Sequence, residues 1–300
     1  GRIMSFSTQV KAELCRAPLN RKCCAQAEAY GVLLYCSLST PTEVRITTES
    51  PEFADRLPQL FQKAFQVRFD RLPAEGAGKR IFSITAPDKL SALWSVFGHD
   101  PAEALVHHIN YAVLEEDHCR TAFLRGAFLA GGSVTDPAKR YHLELATSHL
   151  SVSRELHALL LEMGFSPKES RRKANAITYF KQSNAIEDFL TAMGAPLAAM
   201  DLMNAKAEKD LRGSITRRVN CDAANLDKAV DAAQGQIEAI YKLEERGMLE
   251  NLPDKLKEAV DLRMAHPELT LSQLAELCDP PVSKSAFNHR LRKLVELANR

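Results

Sequence analysis

LRGAFLAGGSV, at residues 124–134, begins as an apolar helix and ends in small residues. Its glycines, Gly126, Gly131 and Gly132, are poor helix formers, because glycine in a helix interior is about 1 kcal/mol less favourable than alanine. They are favoured where a second helix backbone comes very close, since only glycine and alanine leave room for it. The stretch therefore predicts a tightly packed pair of helices.

A second copy of this stretch, AYGVLLYCSLS, lies upstream at residues 29–39. The offset at the glycine is 95 residues (126 − 31), and each copy is followed by a strand-like and then an amphipathic segment. The matched positions are Gly31 and Gly126, Cys36 and Gly131, and Ser37 and Gly132. An internal repeat of this length predicts two related half-domains, whose glycine-rich helices meet at a pseudo-twofold axis.

The pattern of Leu124, Gly126 and Gly132-Ser133-Val134 resembles the LAGLIDADG motif of homing endonucleases. In that fold each half is αββαββα, and the strands form a saddle over DNA. From Ser5-Phe6-Ser7 to its C-terminal segment, the chain is also similar to the WhiA family of bacterial regulators. The resemblance implies an α+β fold, with a LAGLIDADG-like pseudo-twofold (αββαββα)×2 N-terminal domain followed by an all-α helix-turn-helix domain.

The predicted domains are residues 1–200, with halves at about 5–110 and 111–200, a basic linker and long helix at 201–250, and the helix-turn-helix at 251–300. Alternation and β-branching predict strand pairs at 65–72 with 79–85 and at 167–174 with 176–182. A helix at 102–116 is predicted to join the halves. Residues 200–225 are predicted to be an exposed linker, followed by a helix at 226–246.

Three helices are predicted in the last fifty residues. Thr270 and Gln273 have the spacing of a capping box at the start of the second helix, and Ser283 is expected to cap the third. The third helix carries a polar face at spacings of three and four residues, opposite an apolar one. This order is typical of a helix-turn-helix, whose second motif helix enters the major groove.

We expect this third helix to bind double-stranded promoter DNA. Asn288 can present both amide groups to adenine, and Arg292 or Lys284 can reach guanine or phosphate. The candidates on this helix are Ser283, Lys284, Ser285, Asn288, His289, Arg290, Arg292 and Lys293. The alternative is a three-helix appendage with solvated charges.

Two further groups of basic residues are candidates for contacts with the DNA backbone. One lies on the predicted strand at 167–174 and comprises Lys168, Arg171, Arg172 and Lys173. The other lies in the predicted linker and comprises Lys206, Lys209, Arg212, Arg217 and Arg218. The alternatives are a solvated hairpin edge and a tether packed on the N-terminal domain.

The positions that would carry catalysis are altered. LAGLIDADG nucleases place one carboxylate at the C-terminal end of each motif helix, where the pair holds a divalent metal. The matching residues here are Cys36 and Gly131, and neither supplies a hard anionic oxygen. We therefore expect no catalytic residues and no enzyme activity.

No metal and no cofactor are expected. The seven cysteines include no CxxC pair, and the histidines show no ligand spacing beyond the adjacent pair His107-His108, whose side chains diverge on a helix. A zinc site of Cys15, Cys23 and Cys24 is disfavoured, because adjacent cysteines chelate poorly from one short turn.

Composition limits the functional classes. The formal net charge is +1, so any contact with nucleic acid must rest on local basic patches. No run of 18 apolar residues and no apolar signal-peptide region occurs. We expect no membrane contact, reduced thiols and a cytoplasmic, nucleoid-associated protein.

Three functions remain in competition. The first is a sequence-specific, non-catalytic transcription regulator, the second a protein- or ligand-binding scaffold with secondary DNA binding, and the third a residual metal-dependent endonuclease. The resemblance to WhiA favours the first. It implies roles in sporulation and cell division and, in actinobacterial relatives, a partner transcription regulator that carries an iron–sulfur cluster.

Overall fold

The computed structural model describes residues 4–76, 78–100 and 107–300 of the chain. It divides into two compact units, one ending at Asp210 and the other beginning at Leu211. The first unit mixes helices and strands and the second is helical, as the predicted α+β fold class requires. None of the helices in the described part is long and apolar enough to cross a membrane.

The first half of the first unit contains four helices and three strands among the described residues. In chain order these are α1 (Phe6–Leu14), α2 (Lys22–Tyr35), β1 (Leu38–Ser39), β2 (Val44–Thr48), α3 (Pro51–Phe65), β3 (Arg80–Ile84) and α4 (Pro87–Ser95). The strands form an antiparallel sheet in the order β1-β2-β3.

The second half follows a short 3₁₀ helix at Tyr111–Leu114. It contains α5 (Asp117–Gly131), β4 (Gly132–Val134), β5 (Leu143–Thr147), α6 (Leu150–Glu162), β6 (Lys168–Arg172), β7 (Asn175–Phe180) and α7 (Ser183–Ala192). Its antiparallel sheet has the order β4-β5-β7-β6. The order from α5 to α7 is the complete αββαββα half that the resemblance implied.

The helix α8 (Pro196–Glu245) begins in the first unit and continues into the second. The second unit then contains a 3₁₀ helix and three α-helices. They are Leu249–Asn251, α9 (Asp254–Ala265), α10 (Leu271–Leu277) and α11 (Lys284–Ala298).

The glycines of the repeat pack α2 against α5, as the sequence predicted. A Cβ on Gly126 would overlap the backbone carbonyl of Glu28, and a Cβ on Gly31 would overlap the backbone of Phe123 and lie 2.6 Å from the nitrogen of Ala127. Backbone atoms cannot rotate away as a flexible side chain can. The two helices can therefore reach this separation only with glycine at both positions.

A buried ion network lies beside this contact. Glu28 on α2 accepts hydrogen bonds from Arg56 Nε at 2.8 Å and Nη2 at 2.9 Å, and from Arg125 Nη1 at 3.1 Å. Arg56 also donates to the carbonyl oxygens of Cys15 and Ala17. The Glu28 side chain is 1% exposed, so a single buried carboxylate bridges two guanidinium groups and ties α2 to α3 and α5.

Two secondary-structure predictions in the first half are wrong. Residues 65–72 do not form a strand, because α3 continues to Phe65 and only Arg71 makes an isolated bridge, to Ser83. The Asp70 carboxylate instead accepts hydrogen bonds from the backbone N–H groups of Thr85 and Ala86, with N···Oδ2 distances of 2.7 and 2.9 Å. A side chain thus takes the place of ladder hydrogen bonds beside β3.

The joining helix at 102–116 is also not observed where the structure describes it. Residues 102–106 lie outside the described residues, 107–110 are not helical, and 111–114 are 3₁₀. The predicted linker at 200–225 is corrected as well, since these residues belong to α8. They are nevertheless largely exposed, as predicted.

The packed histidines of the first unit make its stability depend on pH. The rings of His107 and His149 lie 4.6 Å apart, and His107 stacks on Trp94 at 4.7 Å. Burial, followed by the charge of His107, lowers the pKa of His149 to about 4. The unfolded chain, with an ordinary histidine pKa of about 6.5, then binds more protons than the folded chain between these values.

We expect the free energy of unfolding to fall as the pH drops from about 6.5 towards 4. The contribution of His149, allowing for its partial exposure, is on the order of 2 kcal/mol at pH 4. Urea denaturation of wild type and His149→Gln across this range measures it. The variant should lose less stability on acidification, and parallel curves would show that His149 does not contribute.

Candidate nucleic-acid interface

The turn between α9 and α10 is organised by Arg263. Its guanidinium is buried and donates to the carbonyl oxygens of His266, Pro267 and Leu269, at 3.0, 2.8 and 2.9 Å. At the start of α10, the Thr270 hydroxyl accepts the amide of Gln273 and the Gln273 side chain accepts the amide of Thr270. The predicted capping box is therefore confirmed.

The helix α11 is held by its apolar face and its cap. Phe287, Leu291, Leu294 and Ala298 are buried in the core of the second unit. The Ser283 hydroxyl accepts the amide of Ala286 at 3.1 Å, which confirms the predicted cap. The segment between α10 and α11 covers residues 278–283, which is longer than the three to four residues of a compact helix-turn-helix.

The first half of α11 presents polar side chains to solvent. Ser285, His289 and Arg292 are exposed and Asn288 is partly exposed. They share one face because they follow one another at i, i+3, i+4 and i+7. Four basic residues against one acidic residue, Glu296, give the helix a formal charge of +3. The remaining exposed candidates beside this face are Ser283, Lys284 and Lys293.

Arg290 differs from the other basic candidates on α11, because it forms an ion pair within the described part of its own unit. Its Nη1 lies 3.1 Å from Oε1 of Glu258 on α9, and its side chain is 14% exposed. Glu258 also accepts the amide of Asp279. This pair ties α9 to the segment before α11 and to α11 itself.

The basic residues of α8 lie on several of its faces. At 100° per residue, Lys206, Lys209 and Arg217 share one side, whereas Arg212 and Arg218 lie on either flank of the opposite side. Lys209 is placed over the ring of Tyr141, with its Nζ 5.1 Å from the centroid. The sequence predicted one group from the charge of these five residues, whereas their positions around α8 place them on different sides of the helix.

The basic residues of β6 are divided between the two faces of an edge strand. Lys168 pairs with Tyr179, and Arg172 donates to both oxygens of Glu144, so these two share the face that carries Tyr179 and Glu144. Arg171 points to the opposite face, which α6 covers through the contact of Ser153 with Thr178. Lys173 lies in the turn with a φ of 56°.

The C-terminal ends of the two central helices, α2 and α5, carry no acidic side chain. Cys36 is buried at the C-cap of α2, and burial raises the pKa of its thiol to about 12. A Cβ on Gly131 would lie 2.5 Å from the oxygen of Ala146 and 2.8 Å from that of Tyr35. Because these are backbone atoms, the position has no room for the side chain of a carboxylate ligand.

One cluster of metal-ligating side chains is not marked by any local spacing in the sequence. Cys23, Cys24, His118 and Cys119 each bring one ligand atom to within 4.8 Å of the others. Cys15, which the sequence had grouped with Cys23 and Cys24, is not part of it. Two adjacent pairs separated by about 95 residues give no local spacing signal, and only the packing of α2 on α5 brings them together.

Two family models match the chain. One, described as the WhiA LAGLIDADG-like domain, matches residues 120–212, and the other, described as the WhiA C-terminal HTH domain, matches residues 215–298.

Relatives match over nearly the whole length. A probable cell division protein WhiA of Alkaliphilus metalliredigens (strain QYMF) is 34% identical over an alignment of 311 residues, covering 99% of this chain and 98% of the relative. One of Ruminiclostridium cellulolyticum is 36% identical, with the same coverage. The crystal structure of full-length DUF199/WhiA from Thermatoga maritima has a TM-score of 0.60 at 22% identity and covers 99% of both chains, which indicates a shared fold.

Proposed function

The chain belongs to the WhiA family, and from that premise we propose that it is a non-catalytic, sequence-specific DNA-binding transcription regulator. In this proposal α11 enters the major groove of promoter DNA and its N-terminal half contacts base edges. The observation that carries it is the solvent-facing row of Ser285, Asn288, His289 and Arg292 on a capped and firmly packed helix. Among the described residues, no intramolecular hydrogen bond occupies the side chains of Asn288 and Arg292.

The chemistry of these side chains supports direct contact with bases. An amide can make paired hydrogen bonds to adenine, and a guanidinium can do so to guanine, so Asn288 and Arg292 suit base edges. Lys284, Lys293 and His289 suit phosphates on either side. Ser283 and Ser285 suit either kind of contact. Because Arg290 already pairs with Glu258, we assign it to holding α11 in place.

We further propose that the first unit adds contacts to the DNA backbone. Lys168 and Arg172 lie on the face of β6 opposite to that of Arg171, and in this proposal that face turns to DNA, as in the saddle that the resemblance implies. Lys173 and the exposed basic residues of α8 could add phosphate contacts. Arg171 is left out, because its side of β6 lies against α6.

The non-catalytic part of the proposal rests on Cys36 and Gly131. A buried neutral thiol and a glycine without space for a side chain cannot hold the divalent metal that phosphodiester hydrolysis needs at this place. The fold of a nuclease is then retained for positioning on DNA.

The biological setting is proposed from the relatives, whose printed name is probable cell division protein. We propose that this chain acts in cell division and sporulation, with residues 1–200, 201–250 and 251–300 as its LAGLIDADG-like, connecting and DNA-binding parts. A nucleoid-associated location in the cytoplasm follows from this function. A partner transcription regulator is included on the family resemblance alone.

Binding of promoter fragments from the chain's own genome, measured by fluorescence anisotropy with Mg²⁺ present, tests the proposal. Arg292→Ala should weaken specific binding by about 5- to 150-fold, the equivalent of the 1–3 kcal/mol that a base contact contributes. The fragments should remain uncut.

The matched control is Lys255→Ala, which removes an exposed positive charge from α9 of the same unit. It should leave the ratio of specific to non-specific affinity unchanged. If both variants lose the same amount of binding affinity, Arg292 acts only through its charge. If neither variant loses affinity, α11 is not part of the DNA interface.

A further inference from the structure

The first turns of the two central helices bring together three thiols and an imidazole. Cys23 and Cys24 lie at the start of α2, and His118 and Cys119 lie at the start of α5. The Sγ of Cys24 is 3.2 Å and the Sγ of Cys119 is 3.3 Å from Nδ1 of His118. All four ligand atoms lie within 4.8 Å of one another.

We propose that these four side chains bind one Zn²⁺ ion in a structural Cys₃His site that fastens the two half-domains together. Zinc binds thiolates at about 2.3 Å and imidazole at about 2.0–2.1 Å in a tetrahedron, which sets ligand atoms roughly 3.5–3.8 Å apart. The separations in the cluster bracket this spacing.

The local electrostatics favour thiolate ligands. Each ligand occupies the second or third position of its helix, where free backbone amides and the helix dipole stabilise negative charge. A divalent cation at the centre would bind the cysteines as thiolates, with release of their protons.

The internal repeat relates the two ligand pairs to each other. The offset from Cys23 to His118 and from Cys24 to Cys119 is 95 residues in both cases (118 − 23 and 119 − 24), the same as that from Gly31 to Gly126. Each half therefore supplies two ligands from equivalent positions. The ion would lie on the pseudo-twofold axis, at the opposite end of the helix pair from Cys36 and Gly131.

The ligand set also indicates which ion binds and what it does. Three sulfurs and one nitrogen suit Zn²⁺ better than Mg²⁺ or Ca²⁺, which prefer oxygen. Four protein ligands leave no open position for water or substrate, which is typical of a structural site. The ion would cross-link segments about 95 residues apart and so stabilise the packing of α2 against α5.

The test uses the full chain, purified with a reductant and without chelator. We expect close to one zinc per chain by elemental mass spectrometry. Replacement by Co²⁺ should give the visible bands of a tetrahedral site and thiolate-to-cobalt charge transfer in the near ultraviolet. The Tm should rise with added Zn²⁺ and fall on treatment with a strong chelator.

Cys119→Ser and His118→Ala should each reduce bound zinc to a small fraction and remove the Tm response. The control is Cys221→Ser, which removes an exposed thiol in the second unit. This variant should retain the bound zinc and the Tm response to zinc. Cys23→Ser changes the most exposed ligand and should disturb folding least. A loss of zinc in this variant would therefore not be due to misfolding. The proposal is overturned if the reduced wild type binds no more zinc than Cys119→Ser, or if Cys119 forms a disulfide with Cys23 or Cys24 in place of a metal site.

Discussion

Gly126→Ala is expected to lower the free energy of unfolding of the first unit by about 3 kcal/mol or more. The added Cβ would overlap the carbonyl oxygen of Glu28 and lie 2.8 Å from its carbonyl carbon and 3.2 Å from its Cα. Relief of this overlap requires α2 and α5 to separate along their whole contact. Because the core of both halves is built on this pair, the strain cannot be absorbed locally.

Thermal and urea denaturation followed by circular dichroism would measure this loss. For a unit of about 200 residues, 3 kcal/mol corresponds to a fall in Tm of roughly 6–12 °C. Gly235→Ala is the matched control, since Gly235 also lies in a helix and, apart from its chain neighbours and its own helix backbone, no heavy atom of the described residues lies within 4 Å of its added Cβ. That change should stabilise its helix by up to about 1 kcal/mol. Equal stability of Gly126→Ala and wild type would refute the close packing of the pair.

Glu28→Ala is expected to lower the free energy of unfolding by about 3–5 kcal/mol. The side chains of Arg56 and Arg125 are only 6% and 13% exposed, so loss of the carboxylate leaves two guanidinium groups with little access to water. Arg56 would retain its hydrogen bonds to the carbonyl oxygens of Cys15 and Ala17, but its charge would have no counter-ion in this network.

Glu43→Ala provides the comparison at the surface. Glu43 pairs with Arg45 at 3.0 Å, yet the side chains of Arg45 and Glu43 are 43% and 27% exposed. Water and salt screen such a pair, and we expect a loss below about 1 kcal/mol. Urea denaturation of both variants at low and high salt separates the two cases. A loss at Glu28 no larger than that at Glu43 would show that the network contributes little to stability.

Local signals made much of the fold predictable. Glycines in a helix predicted the close approach of a second helix backbone. Thr270 and Ser283 predicted helix caps, because a cap depends on the few residues that follow it. The structure confirms the close approach and both caps. The strand at 65–72 was mispredicted because Asp70 satisfies backbone amides that a ladder would otherwise use. The helical state of residues 200–225 was missed because few apolar residues mark a buried face there.

The sequence predicted which types of residue contribute to function, but not which of them lie together in the structure. Their positive charge predicted a common DNA contact for Arg171 and Arg172, whereas the alternation of side chains along the strand places them on opposite faces of β6. Charge also grouped Arg290 with Arg292, whereas Glu258 engages Arg290 alone. The cysteine and histidine cluster depends on the meeting of two helices, and a sequence scan for local ligand spacing cannot detect it.

Selection of preferred sites from random-sequence DNA duplexes by wild type and Asn288→Ala tests whether α11 contacts bases. Wild type should select a defined motif. The variant should select the same motif with its preference relaxed at one or two adjacent positions where the wild type requires adenine. An unchanged motif, or a motif weakened equally at every position, would contradict the placement of Asn288 against a base edge and of α11 in the major groove.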